Sequence, residues 1–396
     1  MKKLFIVILL WGYQLHSQYN DLLKTNDSLA GSKGFFVQID NLAFVKNNEY
    51  FNLIADGYTL IGNRLNTELS LQTHPDYIFT AGMMWLQYDG LSYLSKNIPY
   101  FSLHLKQKQN DFYIGKLYTD DNHLLPQVLY AFERHLDTRS VENGLQHRYN
   151  GRHWQTDTWL QWEQFIFKKD TMRERLNFGH VSHFTFKINR WRLQIPVQIY
   201  LHHRGGQINV RQNNNHVNSA LVVANGGGGF DLSYKLSSQS FWGIATQYYW
   251  HRINSDLTET FHYKQGSAIN IKVYYRNKII YSELNYWKSN SFVSSKGDDM
   301  FQSVSRRVEK YLDEQGNSIP VFGLHTEPAR NLIYGRFAYQ KEIFKDLFLA
   351  FTTEVFYQLN KATIYTPVYK SEVFNHLDYN TGLYVRYIFK HKLTDL

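Results

Sequence analysis

The sequence predicts an all-β chain, a transmembrane antiparallel β-barrel of about sixteen strands with short turns at one end and long loops at the other. Three observations predict it. Apolar and polar residues alternate with period two over runs of nine to thirteen residues. Soluble strands average roughly 5–6 residues, whereas a tilted membrane strand needs roughly 9–11. Short and long connections alternate from Phe35 onward. Nine Trp, thirty Tyr and twenty-seven Phe make 17% of the 396 residues aromatic. Charged residues reach only 19%, below the roughly 25% of a soluble domain. With no Cys in the chain, disulfide-stapled and cysteine-zinc scaffolds are excluded.

The first seventeen residues read as a secretory signal peptide. Lys2 and Lys3 form the basic start, Leu4 to Trp11 the apolar stretch, and Gly12 to Ser17 the polar end. That apolar stretch is too short for a spanning helix, which takes roughly 20 residues. Cleavage after Ser17 would leave a periplasmic segment over 18–34, a barrel over 35–390 and a tail over 391–396. Lacking Cys, the cleaved chain carries no lipidated N-terminal cysteine.

Along the chain, Leu65, Leu69 and Leu71 oppose Asn66, Glu68, Ser70 and Gln72. Trp191, Leu193, Ile195, Val197, Ile199 and Leu201 alternate with Arg192, Gln194 and Gln198. Ile269, Ile271, Val273 and Tyr275 alternate with Asn270, Lys272, Tyr274 and Arg276. Leu347, Leu349, Phe351, Val355 and Tyr357 face away from Thr352, Glu354 and Gln358. Trp154 with Trp162, and Trp242 with Trp250, are each eight residues apart. Even spacing puts each pair on one face, and the span of about 20 Å reaches both aromatic girdles of a membrane barrel.

Turn chemistry marks seven short connections: His74-Pro75-Asp76, Gln109 to Asp111, Asn150-Gly151, Asn189-Arg190, Ser237 to Ser240, Asn277-Lys278 and Lys345-Asp346. Eight longer polar connections lie between them, near 44–61, 88–97, 119–140, 166–175, 205–228, 253–265, 290–331 and 360–376. Together they join sixteen strands. Tyr50 to Ile61 and Asn215 to Val223 each have room for a further strand pair, which would give eighteen. Weak alternation near 77–88 and 176–188 allows fourteen.

The last alternating segment, Asp378 to Phe389, is rich in Tyr and Phe and resembles the closing-strand signal of bacterial barrels. Its pattern departs in ending on Lys390 to Leu396. Over 35–390 the chain thus resembles the porin-like class of bacterial outer-membrane barrels. The resemblance implies a Gram-negative outer membrane as location, lipid and lipopolysaccharide as surroundings, and a third long loop that folds inward.

No Gly-x-Ser-x-Gly elbow, His-Glu-x-x-His pair, P-loop or calcium loop occurs, so no enzyme is expected. The histidines are poorly spaced for metal. His202 and His203 point to opposite faces of a strand, as do His180 and His183. No metal or cofactor is expected, and nucleic acid is set aside because the +9 charge is spread with no basic block.

Lumen-facing positions hold the remaining chemistry, because Arg or Lys facing lipid at mid-depth costs roughly 2–4 kcal/mol. The pore-lining candidates are Lys106, Arg148, Arg192, Lys272, Arg276, Arg336 and Arg386, with Glu68, Glu142, Asp157, Glu163, Glu283 and Glu354. Such groups either set a transverse field across an open pore or pair with one another and fill a closed lumen. Between 122 and 142 a helical stripe of Leu125, Val128, Leu129 and Phe132 adjoins Glu133, Arg134, Asp137 and Arg139, the constriction candidates. A second helix is expected from Met300 to Leu312. The asparagines of loop 205–228 suit either sugar contact or a flexible loop.

The leading expectation is weakly selective passage of small polar solutes. Its rivals are a surface-polysaccharide or capsule-attachment barrel, and an accessory subunit of a secretion or assembly complex.

Overall fold

A computed structural model of the chain describes residues 33–167, 170, 172–205, 221–254, 263–305, 308–312, 318–322, 325–359, 362–365, 370–373 and 377–394. The expected signal peptide (1–17), nearly all of the expected segment 18–34 and most of loop 205–228 lie outside these residues.

Among the described residues twenty strands form, in order β1 Gly34–Glu49, β2 Tyr58–His74, β3 Tyr77–Tyr88, β4 Lys96–Gln107, β5 Asn110–Lys116, β6 Asn143–Asn150 and β7 Trp154–Gln164. Then come β8 Glu174–Ile188, β9 Trp191–Gly205, β10 Leu221–Lys235, β11 Phe241–Asn254, β12 Gln265–Arg276 and β13 Ile280–Asn290. The rest are β14 Val308–Leu312, β15 Ser318–Phe322, β16 Ala329–Phe344, β17 Leu347–Gln358, β18 Ala362–Tyr365, β19 Lys370–Val373 and β20 Leu377–Thr394. Sixteen of them, all but the small hairpins β14–β15 and β18–β19, close into one antiparallel barrel. β20 pairs with β1 through Ile39↔Phe389 and Phe44↔Tyr384, so no edge is left open. β20 continues past the expected limit at Lys390 to Thr394.

The burial pattern is inverted relative to a soluble protein. On β12 the apolar Ile271 and Val273 are exposed while Asn270 and Lys272 are buried. On β9, Val197 and Ile199 are exposed and Gln194 and Gln198 buried. Apolar side chains cover the outside and polar ones fill the inside, as a lipid-embedded barrel requires. Trp154, Trp162, Trp242 and Trp250 all lie exposed on that outer face, as their spacing predicts. The seven short connections join the strands at one end, at the predicted turns.

Among the described residues neither predicted helix forms. The 117–142 connection forms two short 3-10 turns, Asn122–Leu124 and Phe132–Leu136. In place of Met300–Leu312 there is a 3-10 turn at Asp299–Phe301 and the strand β14. The apolar stripes serve the lumen instead. Leu125, Val128, Leu129 and Tyr130 pack with Phe292, Met300 and Phe301 against the wall residues Trp159, Tyr200, Tyr249, Trp287, Tyr334 and Phe356. The two connections also bond to each other, Ala131 N donating to Lys296 O at 2.8 Å and Asp298 N to Gln127 O at 2.9 Å. Together they plug the barrel.

Candidate functional site

Charged lumen positions meet the plug and one another. Arg336 on β16 pairs with Glu283 on β13 (Nη1–Oε1 3.0 Å) and with Glu354 on β17, and donates to Gln127 of the plug at 2.7 Å. Lys272 reaches Glu283 at 3.5 Å. Arg386 grips Asp40 with two bonds of 2.8 Å, the bidentate geometry that makes guanidinium–carboxylate pairs directional. Glu163 holds Lys296 at 2.7 Å, and Glu68 accepts from Lys116 at 2.6 Å and from Tyr100 at 2.9 Å. Arg192 and Arg276 sit half-buried at the periplasmic ends of β9 and β12.

Among the plug residues, Glu133 accepts from Asn48 at 2.9 Å and from Tyr58, with Lys46 at 3.7 Å. Burial raises its pKa against the pull of Lys46. Asp137 binds the half-exposed Arg139 (Nε–Oδ2 2.7 Å). Arg134 lies against Glu142 at 2.8 Å.

The centre of this network is His123, fully buried and stacked on Trp159 with ring centroids 3.9 Å apart. Its Nδ1 lies 3.2 Å from Asp157 and its Nε2 3.3 Å from Glu142. Burial alone would strip the charge from such a ring; the two carboxylates outweigh it and hold the pKa up to about 9. Burial likewise works against Glu142, yet Arg134 and His123 pull its pKa down to about 2. Arg148 closes the group, against Asp121 and 3.5 Å from Asp157. With both ring nitrogens held by carboxylates, this imidazolium is a clamp for the plug, not a base. Among the described residues no three His, Asp or Glu side chains converge as a metal site.

Below the plug a cavity of about 290 Å³ remains. Its lining includes Arg64, Glu68, Lys106, Lys116 and Arg148, and it reaches the turn residues Pro75 and Asn150. It therefore lies in the periplasmic half.

The outer wall carries polar groups that the lumen-centred reading passed over. Positions 47, 49 and 59 face outward near the extracellular end of β1 and β2. There Thr59 Oγ1 donates to Asn47 Oδ1 at 2.7 Å, and Asn47 Nδ2 donates to Glu49 Oε1 at 2.9 Å. Thr381 lies opposite Asn47, and Thr353 opposite Thr381. The one sequence signal for this row is polar residues at odd positions of β1, where its outer face should be apolar.

Residues 24–396 match the family model described as lipid A 3'-O-deacylase-type. The chain belongs to that family. No curated protein sequence matches it. Among solved structures it is similar to OmpT, an outer membrane protein of Vibrio cholerae, at 13% identity and a TM-score of 0.46 over 92% of this chain and 100% of that one. It is similar also to Pseudomonas aeruginosa OprD, at 9% identity and a TM-score of 0.48 over 91% and 97%. With Acinetobacter baumannii OccAB4 it shares 8% identity and a TM-score of 0.46 over 92% and 100%.

Membership of the lipid A 3'-O-deacylase-type family corrects the expectation that the chain is not an enzyme. That expectation rested on missing linear motifs, most of which belong to soluble folds where one turn or helix presents the reactive groups. A barrel wall assembles them from neighbouring strands, so no short motif records them. Outer-membrane location, by contrast, agrees between the family and the inverted barrel.

Proposed function

We propose that this barrel is an outer-membrane hydrolase that removes a fatty-acyl chain from an ester of a lipid A-like glycolipid. The Glu49–Asn47–Thr59 row carries the reading, because it places a carboxylate, an amide and a hydroxyl on the lipid-facing wall near the extracellular end. Acyl esters of an outer-leaflet glycolipid lie at that level, and lipopolysaccharide is then the partner as well as the source of substrate. Glu49 takes a proton from water, whose oxygen attacks the ester carbonyl; the Thr59 hydroxyl is positioned to turn towards the oxyanion. Collapse of the intermediate expels the sugar alkoxide, which recovers the proton from Glu49.

Cells producing the wild-type barrel should yield lipid A short of one acyl chain by mass spectrometry. Glu49→Gln should restore it, and Thr59→Ala should slow its loss by roughly 10²-fold. Identical lipid A in wild type and Glu49→Gln would overturn the proposal. Passage of small polar solutes is the second reading, favoured by the polar cavity beneath the plug; it requires the plug to move.

A further inference from the structure

We propose that Ser182, His180 and Thr158 form a second ester-cleaving site, facing the membrane in the periplasmic half of the wall and taking the acyl ester of a glycerophospholipid. On β8, residues 178, 180, 182 and 184 share the outer face. Phe178 and Phe184 are exposed there, while Asn177, Val181 and His183 are buried on the other side. Across β7 and β9 the neighbours Leu160, Val197 and Ile199 are apolar. Within this apolar surface, Thr158 Oγ1 lies 2.7 Å from His180 Nδ1 and His180 Nε2 lies 3.0 Å from Ser182 Oγ. A hydroxyl nucleophile, an imidazole in reach of it and a third group orienting the ring are the parts of a nucleophilic hydrolase. With Nδ1–H donated to Thr158 Oγ1, Nε2 is left to accept the serine proton.

Depth selects the substrate. Phe184 stands opposite Trp154, and Ser182 is two residues above it, about 5 Å along the membrane normal. Trp191 and Trp242, ring centroids 6.1 Å apart, mark the same periplasmic belt. Ester carbonyls of the periplasmic leaflet lie at this depth, and the Glu49 row lies towards the opposite rim. The Trp154 indole N–H donates to Ser182 Oγ at 3.3 Å. Its ring roofs the serine, which is only 5% exposed, so the indole must swing aside to admit an acyl chain.

In the first step Ser182 Oγ bonds to the carbonyl carbon, its proton passes to His180 Nε2, and the carbonyl electron pair moves to oxygen. That pair returns, breaks the bond to the glycerol oxygen, and the leaving alkoxide takes the proton from His180. Water then adds to the acyl-serine with its proton going to His180, and fatty acid leaves as Ser182 is reprotonated.

The test uses the full chain in phosphatidylethanolamine vesicles that also contain lipid A. A fluorophosphonate probe should label Ser182, identified by peptide mass, and Trp154→Ala should label faster. Ser182→Ala and His180→Phe, with heat-modifiable mobility intact, should lose the label and lower fatty-acid release from phosphatidylethanolamine by roughly 10²-fold or more. The proposal is overturned by failure to label Ser182 in both wild type and Trp154→Ala, or by undiminished phospholipid cleavage in folded Ser182→Ala. Ser182-dependent release from lipid A alone would overturn the assigned substrate.

Discussion

His123 stands on three successive residues in the left-handed region, Asn122, His123 and Leu124, with φ of 55°, 53° and 60°. Such a conformation costs a non-glycine residue about 1–2 kcal/mol, so the contacts of the ring must outweigh it. They do so through a charge held between Asp157 and Glu142, each pairing stronger for being out of water. The sign of the pH dependence follows from the raised pKa. Stabilisation by the clamp is complete below the free-histidine value of 6.5 and fades as pH rises through about 9. Protease should therefore leave 117–142 intact at about pH 6 and cut it increasingly above about pH 9. His123→Ala should make cutting independent of pH and destabilise the plug by about 1–3 kcal/mol, because Glu142 and Asp157 each lose one buried charge partner and keep only Arg134 and Arg148. Equal protection at both pH values in the wild type would show that the clamp does not hold the plug.

Between elements, the wall is shaped for what lies inside it. At Gly179 on β8 an added Cβ would stand 2.1 Å from Trp159 Cζ2, so the strand carries no side chain where the indole lies flat beneath His123. Gly179→Ala should force that ring off its stack and cost about 1–3 kcal/mol as overpacking, read as a lower temperature for the heat-induced gel shift. An unchanged shift temperature would mean that the ring moves without loss. The same pairing of neighbouring strands builds the outward rows. Thr158↔His180 and Asn47↔Thr59 are register partners, and cross-strand pairs are the unit through which a sheet joins distant residues.

At the scale of the whole molecule, the barrel separates two media. Its outer face meets lipid, and its inner face is closed by two connections that fold in and share an apolar core with the wall. The wild-type barrel should give no steady conductance in a planar bilayer, and replacing residues 120–138 with a short Gly-Ser linker should open it. Steady wild-type conductance would favour solute passage over a sealed lumen.

The sequence by itself determined the barrel, its sixteen strands, its seven tight turns and the faces of its cleanly alternating runs; it read 44–49, 58–61 and 221–228 as loop where β1, β2 and β10 extend. Turns and faces are local properties, because strand parity assigns a face without knowledge of any partner. It also placed Lys272, Arg336, Arg386, Glu283 and Glu354 inside, since lipid rejects them. What those residues touch was decided only by the tertiary structure. Register between strands depends on closure of the whole sheet, and neither Arg336 beside Gln127 nor His180 beside Thr158 leaves a mark in one segment. The stripes at 125–132 and 300–312 fit a helix equally well in isolation. In the folded chain the first gives 3-10 turns and the second a 3-10 turn followed by β14; Leu125, Val128, Leu129, Met300 and Phe301 find on the lumen wall the apolar surface that a helix would otherwise have needed from a partner.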